Sequence, residues 1–163
     1  MKEEFNQSIE NAKIEKDIIK KSFVKLKQKK PKDLDQVFES LHTKVFQKID
    51  CLDCANCCKT TSPIFRDIDI KRIAKYFRMK EHQFIAQYLF MDAESDYVLK
   101  KSPCAFLGND NKCSIYEYRP LACREYPHTN RKNMYQILEL TQKNTEICPA
   151  VARIVNEIVL KYK

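Results

Sequence analysis

Apolar residues at Phe5, Ile9, Ala12, Ile19, Phe23 and Leu26 recur in alternating steps of four and three, interrupted only where Lys16 takes one position. That period puts them on one face of a helix. Lys29-Lys30-Pro31-Lys32 ends the pattern, since proline has no amide hydrogen and biases the residue before it away from helix. Asp33 or Asp35 then caps a second helix, with Leu34, Val37, Phe38, Leu41, Val45 and Ile49 on its apolar face. Residues 1–50 therefore read as an amphipathic helical hairpin. Such an arm either binds a partner or a second copy, or packs as a lid on the rest of the chain.

Beyond residue 50 the elements shorten. Ser62-Pro63-Ile64-Phe65 reads as extended, and Asp67 opens a helix with Ile68, Ile73, Ala74 and Phe77 on one side. A short helix carries Phe84, Ile85, Tyr88 and Leu89, and Tyr97-Val98-Leu99 reads as a strand. Gly108-Asn109-Asp110-Asn111 is a turn, in which Asn and Asp supply left-handed positions, and Cys113 follows on a second short strand. Residues 115–128 are a proline-punctuated series of helical turns, residues 129–134 a polar loop. Met134 to Leu140 fits a strand or a helix equally. Cys148-Pro149 starts a last helix with proline at the favoured first position. Val151, Ile154, Val155, Ile158 and Tyr162 form its buried face.

Composition removes several function classes. The chain of 163 residues holds a single glycine, Gly108. Walker loops, dinucleotide fingerprints and kinase loops all need several glycines where backbone meets phosphate, so none can be built here. No apolar run approaches the roughly 18 residues of a membrane span. The charged start, Met1-Lys2-Glu3-Glu4, lacks a secretory signal's apolar core, so a cytoplasmic location without membrane attachment is expected. The formal net charge of +8 suggests an anionic partner. Acidic and basic residues are interleaved throughout, however, so the excess reads as a solvated surface and nucleic acid is not the expected partner. A protein partner is expected; oligomeric state stays open.

Eight cysteines in a chain expected in a reducing compartment need an explanation. Disulfides fit poorly, because Cys51, Cys54, Cys57 and Cys58 are crowded and adjacent cysteines do not easily reach disulfide geometry. Redox use of one C-x-x-C pair leaves six thiols unexplained. Metal accounts for the spacing. Ligands separated by two residues lie on a tight turn with both sulfurs aimed at one ion. The run Cys51-x-x-Cys54-x-x-Cys57 also has the spacing with which bacterial ferredoxins begin to grip a [4Fe–4S] cube, a pattern that ends in Cys-Pro, as Cys148-Pro149 does here. Cys104 and Cys113 look like ligands on the two arms of a knuckle, and Cys123 follows Pro120. One division groups Cys51, Cys54, Cys57 and Cys148 against Cys58, Cys104, Cys113 and Cys123. Another has one four-thiolate cluster and leaves the remaining cysteines as buried thiols. The cofactor expected is an iron–sulfur cluster, [4Fe–4S] by the spacing, or Zn²⁺. The fold expected is mainly α with a few short strands. A small metal-stabilised cysteine-cluster domain over residues 51–163 is preceded by the helical hairpin of residues 1–50.

These blocks carry a family resemblance. Cys51-x-x-Cys54-x-x-Cys57-Cys58 is followed by Pro103-Cys104-Ala105-Phe106-Leu107 and Cys113-Ser114-Ile115-Tyr116. Then come Arg119-Pro120-x-x-Cys123-Arg124-x-Tyr126-Pro127 and Cys148-Pro149. In this order they resemble the CxxCxxCC, or YkgJ-like, cysteine-cluster family of zinc- or iron-chelating proteins, over about residues 50 to 150. The cysteine region is also similar to that of flagellin lysine N-methylases. Those are longer proteins, and this chain has no visible methyl-donor site, so an enzyme is not the leading expectation.

Around the cysteines, Arg119 and Arg124 flank Cys123 and are candidate cofactor-binding residues, since a guanidinium offsets thiolate charge and donates to sulfur. Either can equally serve a surface ion pair with Glu117 or Glu125. Tyr116 and Tyr126 fit core positions or hydrogen bonds to the cluster. His128 is the histidine near a cysteine block, as ligand, proton shuttle or exposed loop residue. Three readings follow: an iron–sulfur module with an electron-transfer or redox role, a zinc-stabilised adaptor that binds a protein, and part of a protein-modifying enzyme.

Overall fold

The computed structural model describes residues 2–163. Its helices, in chain order, begin with α1 Glu3–Ile14, α2 Lys16–Lys29, α3 Leu34–Phe46, α4 Cys51–Cys54 and α5 Asn56–Thr60. They continue with α6 Asp67–Tyr76, α7 Glu81–Tyr88, α8 Leu121–Glu125, α9 Leu138–Thr145 and α10 Pro149–Lys161. Two three-residue strands, β1 Leu89–Met91 and β2 Tyr97–Leu99, and two 3₁₀ turns at Tyr116–Tyr118 and Met134–Gln136 complete the set. The fold is mainly α with a minimal sheet. The chain divides into two compact units: one runs from the N-terminus to Cys54 and resumes over Pro127–Lys163, and the other is Ala55–Tyr126.

In the first unit every position of the predicted N-terminal stripe, from Phe5 to Leu26, is buried. The stripe spans two helices rather than one, because the chain turns at Glu15. Ile19, Phe23 and Leu26 share a core with Leu34 and Phe38 of α3, Leu138 of α9, and Val151, Ile154, Val155 and Ile158 of α10. The N-terminal helices are thus built into one core with the C-terminal ones. The reason lies in α10, where Ala150, Val151, Ala152, Ile154, Val155, Ile158 and Val159 are all buried. A helix so apolar on several sides needs cover from more than one neighbour.

Two aspartates depart from their expected role. Asp33 precedes α3 without a side-chain cap and instead accepts from Tyr162 Oη at 2.9 Å. Asp35 accepts the amides of Asn133 at 2.7 Å and Met134 at 2.9 Å, which fastens the 3₁₀ turn at Met134–Gln136 to α3. Asp35→Ala should cost about 0.5–2 kcal/mol, as loss of a capping carboxylate does, read as a lowered denaturant midpoint with unchanged m. The undecided stretch from Met134 is this turn followed by α9. The His42 ring packs tilted against Phe46, and its Nδ1 lies 2.8 Å from the Oγ1 of buried Thr129.

The second unit is smaller in its regular structure. Strands β1 and β2 pair antiparallel through Leu89↔Leu99, Phe90↔Val98 and Met91↔Tyr97, and Phe65 bridges to Tyr97. Asp92 closes the hairpin by accepting the amides of Glu94 and Asp96, each at 2.9 Å. Phe65, Ile70, Ile73, Phe84, Leu89, Leu99, Phe106 and Ile115 form the core, with Phe84 and Phe106 stacked at 6.2 Å between centroids. Of the predicted α6 face, Ile73 and Ala74 are buried and Phe77 packs against the core, but Ile68 is not part of it. Ile68 is 62% exposed, and fully buried Asp69 stands on the core side beside Ile70 and Ile73.

Candidate metal centre

Cys51 and Cys54 sit at the two ends of the four-residue α4, where one helical turn brings positions three apart onto the same side. Cys148 is the residue before α10, with Pro149 at the helix's first turn. Its sulfur accepts the backbone amides of Val151 and Ala150 and lies close enough to Cys51 and Cys54 for their charges to act on it. Burial pushes the Cys148 thiol up to about 12, against the pull of the two amides, and the neighbouring thiols push it the same way. Cys54 and Cys148 pack among Phe5, Ile49 and Ala150. The first unit therefore gathers Cys51, Cys54 and Cys148.

In the second unit α5 carries Cys57 and Cys58, whose sulfurs lie 4.0 Å apart. The amide of Cys104 donates to the carbonyl of Cys58 at 2.8 Å, which joins α5 to the loop ahead of the turn. That turn forms as the sequence implies: Asn111 takes the left-handed conformation at φ 62°, and Leu107 bridges to Cys113. The Cys104 sulfur accepts amides from Phe106 and Leu107, and the Cys113 sulfur accepts one from Ile115. This is the expected knuckle: each arm of a tight turn ends in a sulfur already fixed by backbone N–H groups. Cys123 arrives on α8.

The four thiols Cys58, Cys104, Cys113 and Cys123 act on one another. Burial pushes Cys123 up to about 12, and the charges of Cys58, Cys104 and Cys113 add to that, with Arg119 opposing. Burial raises Cys104 and Cys113 as well. Cys58 alone is brought down, to about 7, by the hydrogen bond with Cys57 foremost, with Lys59 and Arg119 assisting against burial. Cys104, Cys113 and Cys123, which burial holds protonated, suit a bound cation, which would draw off their protons and offset the charge of the thiolates formed.

Of the two candidate arginines, Arg119 is partly buried, with its guanidinium carbon 3.5 Å from the centroid of the Tyr116 ring. Its Nε is buried with no hydrogen-bond partner. Arg124 lies on the exposed side of α8. His128 is half-buried in the left-handed conformation, at φ 63°. Tyr116 is 51% exposed, so the core role expected for it gives way to a surface stack on Arg119.

Sequence reasoning missed the group that fixes this corner. Asp69 accepts from Arg66 Nε at 3.1 Å, Arg72 Nη2 at 2.7 Å and the Leu121 amide at 3.3 Å, the last at the start of α8. Arg72 Nη2 in turn donates to the carbonyls of Tyr118 at 3.2 Å and Arg119 at 3.0 Å. The segment leading into Cys123 is thus clasped by a buried carboxylate and an arginine. A signal was present: Asp69 occupies a position of the apolar α6 stripe, where a carboxylate has no reason to be unless it is paired.

Fold and thiols together define a small helical cysteine-cluster protein of the metal-chelating class. The chain belongs to the CxxCxxCC family, described as a "putative zinc- or iron-chelating domain", which matches residues 50–149. No curated protein and no solved structure matches it. No helix among the described residues is long and apolar enough to cross a membrane.

Proposed function

We propose that the chain is an iron–sulfur protein that handles electrons for a protein partner in the cytoplasm. The observation that carries the reading is the position of Cys148. A Cys-Pro pair far along the sequence folds its thiol against Cys51 and Cys54 of the ferredoxin-spaced run. Cys51, Cys54 and Cys148 make one set of three thiols, and Cys58, Cys104, Cys113 and Cys123 make another of four, the number that a [4Fe–4S] cluster takes. The donor chemistry fits. Every ligand candidate is a thiol, the donor that iron–sulfur clusters and zinc take. A bound cluster would supply one-electron transfer. The chain's residues would hold it, donate amides to its sulfurs and shield it with the apolar side chains around Cys54 and Cys148.

Protein purified without oxygen should contain iron and acid-labile sulfide in matching amounts. Cys123→Ser and Cys148→Ser should each remove part of the metal while leaving the rest. Stoichiometric zinc with no sulfide would overturn the iron–sulfur reading and leave a zinc-stabilised adaptor.

A further inference from the structure

We propose that Arg119 is a positioning residue for the four-thiol group of Cys58, Cys104, Cys113 and Cys123, offsetting its negative charge and donating to sulfur. It rests on the metal reading above. Four thiolates on one divalent ion leave a net charge of about −2. A [4Fe–4S] core with four thiolates is likewise anionic. Arg119 brings a permanent positive charge that acts on three of the four thiols, Cys58, Cys113 and Cys123.

Its geometry suits that task better than a surface ion pair would. One face of the guanidinium is covered by the Tyr116 ring at 3.5 Å, so its N–H groups must find acceptors in the plane. Nε is buried and has none, although a buried donor without an acceptor is costly. A thiolate made by metal binding is the acceptor that this site would gain. The backbone is held from the other side, where Arg72 Nη2 donates to the Arg119 carbonyl at 3.0 Å and to Asp69 at 2.7 Å. Asp69 and Arg72 therefore fix Arg119 indirectly, while its own charge acts on Cys58, Cys113 and Cys123. Lysine would not replace it. An ammonium is a hydrated point charge on a flexible stem, without the planar fork that stacks on tyrosine and presents Nε.

Cobalt(II) reports on the site whatever metal the cell supplies. Wild type, Arg119→Gln, Arg119→Lys and Arg72→Gln would be loaded with Co²⁺, with Lys101→Gln as a surface control. The thiolate-to-cobalt charge-transfer band and the rate of stripping by a chelator would be recorded. Arg119→Gln is expected to shift the band and to release the four-thiol group's metal about 10–100-fold faster, the range for loss of a residue that supports metal ligands. Arg119→Lys should recover part of the rate and keep the shifted band. Arg72→Gln should act in the same direction with a smaller effect. A loaded, folded Arg119→Gln protein with wild-type band and rate would overturn the proposal and leave the metal reading standing. If Arg119→Gln does not fold, Arg119→Lys decides, and an unshifted band there overturns the proposal equally. Wild type that takes up no cobalt through these cysteines would remove both.

Discussion

Stripping the metal under reducing conditions is expected to unfold the unit Ala55–Tyr126 while much of the helical first unit persists. The two units have very different reserves. The first buries α10 on several sides and joins it to α2, α3 and α9 in one core. The second falls below the roughly 80 residues at which a single core rarely supplies more than a few kcal/mol. Its sheet is two strands of three residues, and α5 and α8 are five residues each, too short to persist without tertiary support. Between Leu99 and Leu121 its regular structure is one 3₁₀ turn, and this is the stretch that presents Cys104 and Cys113. Metal affinity in such a site is folding free energy, on the order of 10–16 kcal/mol for structural zinc in small domains. Hydrogen exchange with and without chelator measures this directly. Amides from Cys104 to Cys123 should lose protection on chelation and regain it when metal is restored, while those of α10 stay slow. Unchanged protection over Cys104–Cys123 would show that the second unit folds without its metal.

That asymmetry also explains what could be read from the chain. Helical stripes at Phe5–Leu26 and Val151–Ile158 were legible because burial follows the 3.6-residue period, and both are buried as expected. The knuckle between Cys104 and Cys113 was legible because turn chemistry is local, and Asn111 does take the left-handed position. What escaped was every feature set by distant packing. The sharing of one core by α2 and α10 depends on how many sides of α10 need cover, and spacing does not encode that. The break at Glu15 leaves the stripe in phase, so periodicity cannot see it. Asp35 looked like a helix cap because it stands where a cap belongs, yet its acceptors serve amides at Asn133 and Met134. At the site, cysteine spacing marked the candidates. Their grouping came from the fold, which gathers Cys148 with Cys51 and Cys54 and Cys123 with Cys58, Cys104 and Cys113.

Asp69→Asn is expected to destabilise the second unit by about 1–3 kcal/mol, the usual consequence of losing hydrogen bonds to a buried charged acceptor. Its side chain is fully buried and accepts from Arg66, Arg72 and the Leu121 amide. Asparagine keeps the volume but turns one acceptor into a donor facing guanidinium groups, so Arg72 loses its anchor. The loss should spread along a defined line, because Arg72 holds the carbonyls of Tyr118 and Arg119, and Leu121 begins the helix that carries Cys123. A denaturant midpoint that falls steeply, with faster release of metal from the four-thiol group, would mark that line. Burial alone would push the Asp69 carboxyl up, but the hydrogen bonds and charge of Arg66 and Arg72 hold it below the ordinary carboxylate range. The pair's contribution is therefore complete above the unfolded carboxyl's value, near 3.9, and is lost as pH falls through the lower folded value. Thiolates also take up protons in acid, so the informative quantity is the difference between wild type and variant. That difference should hold from pH 7 to about 5 and shrink below about 4. A gap that stayed constant down to pH 2 would mean that Asp69 acts through packing, without its charge.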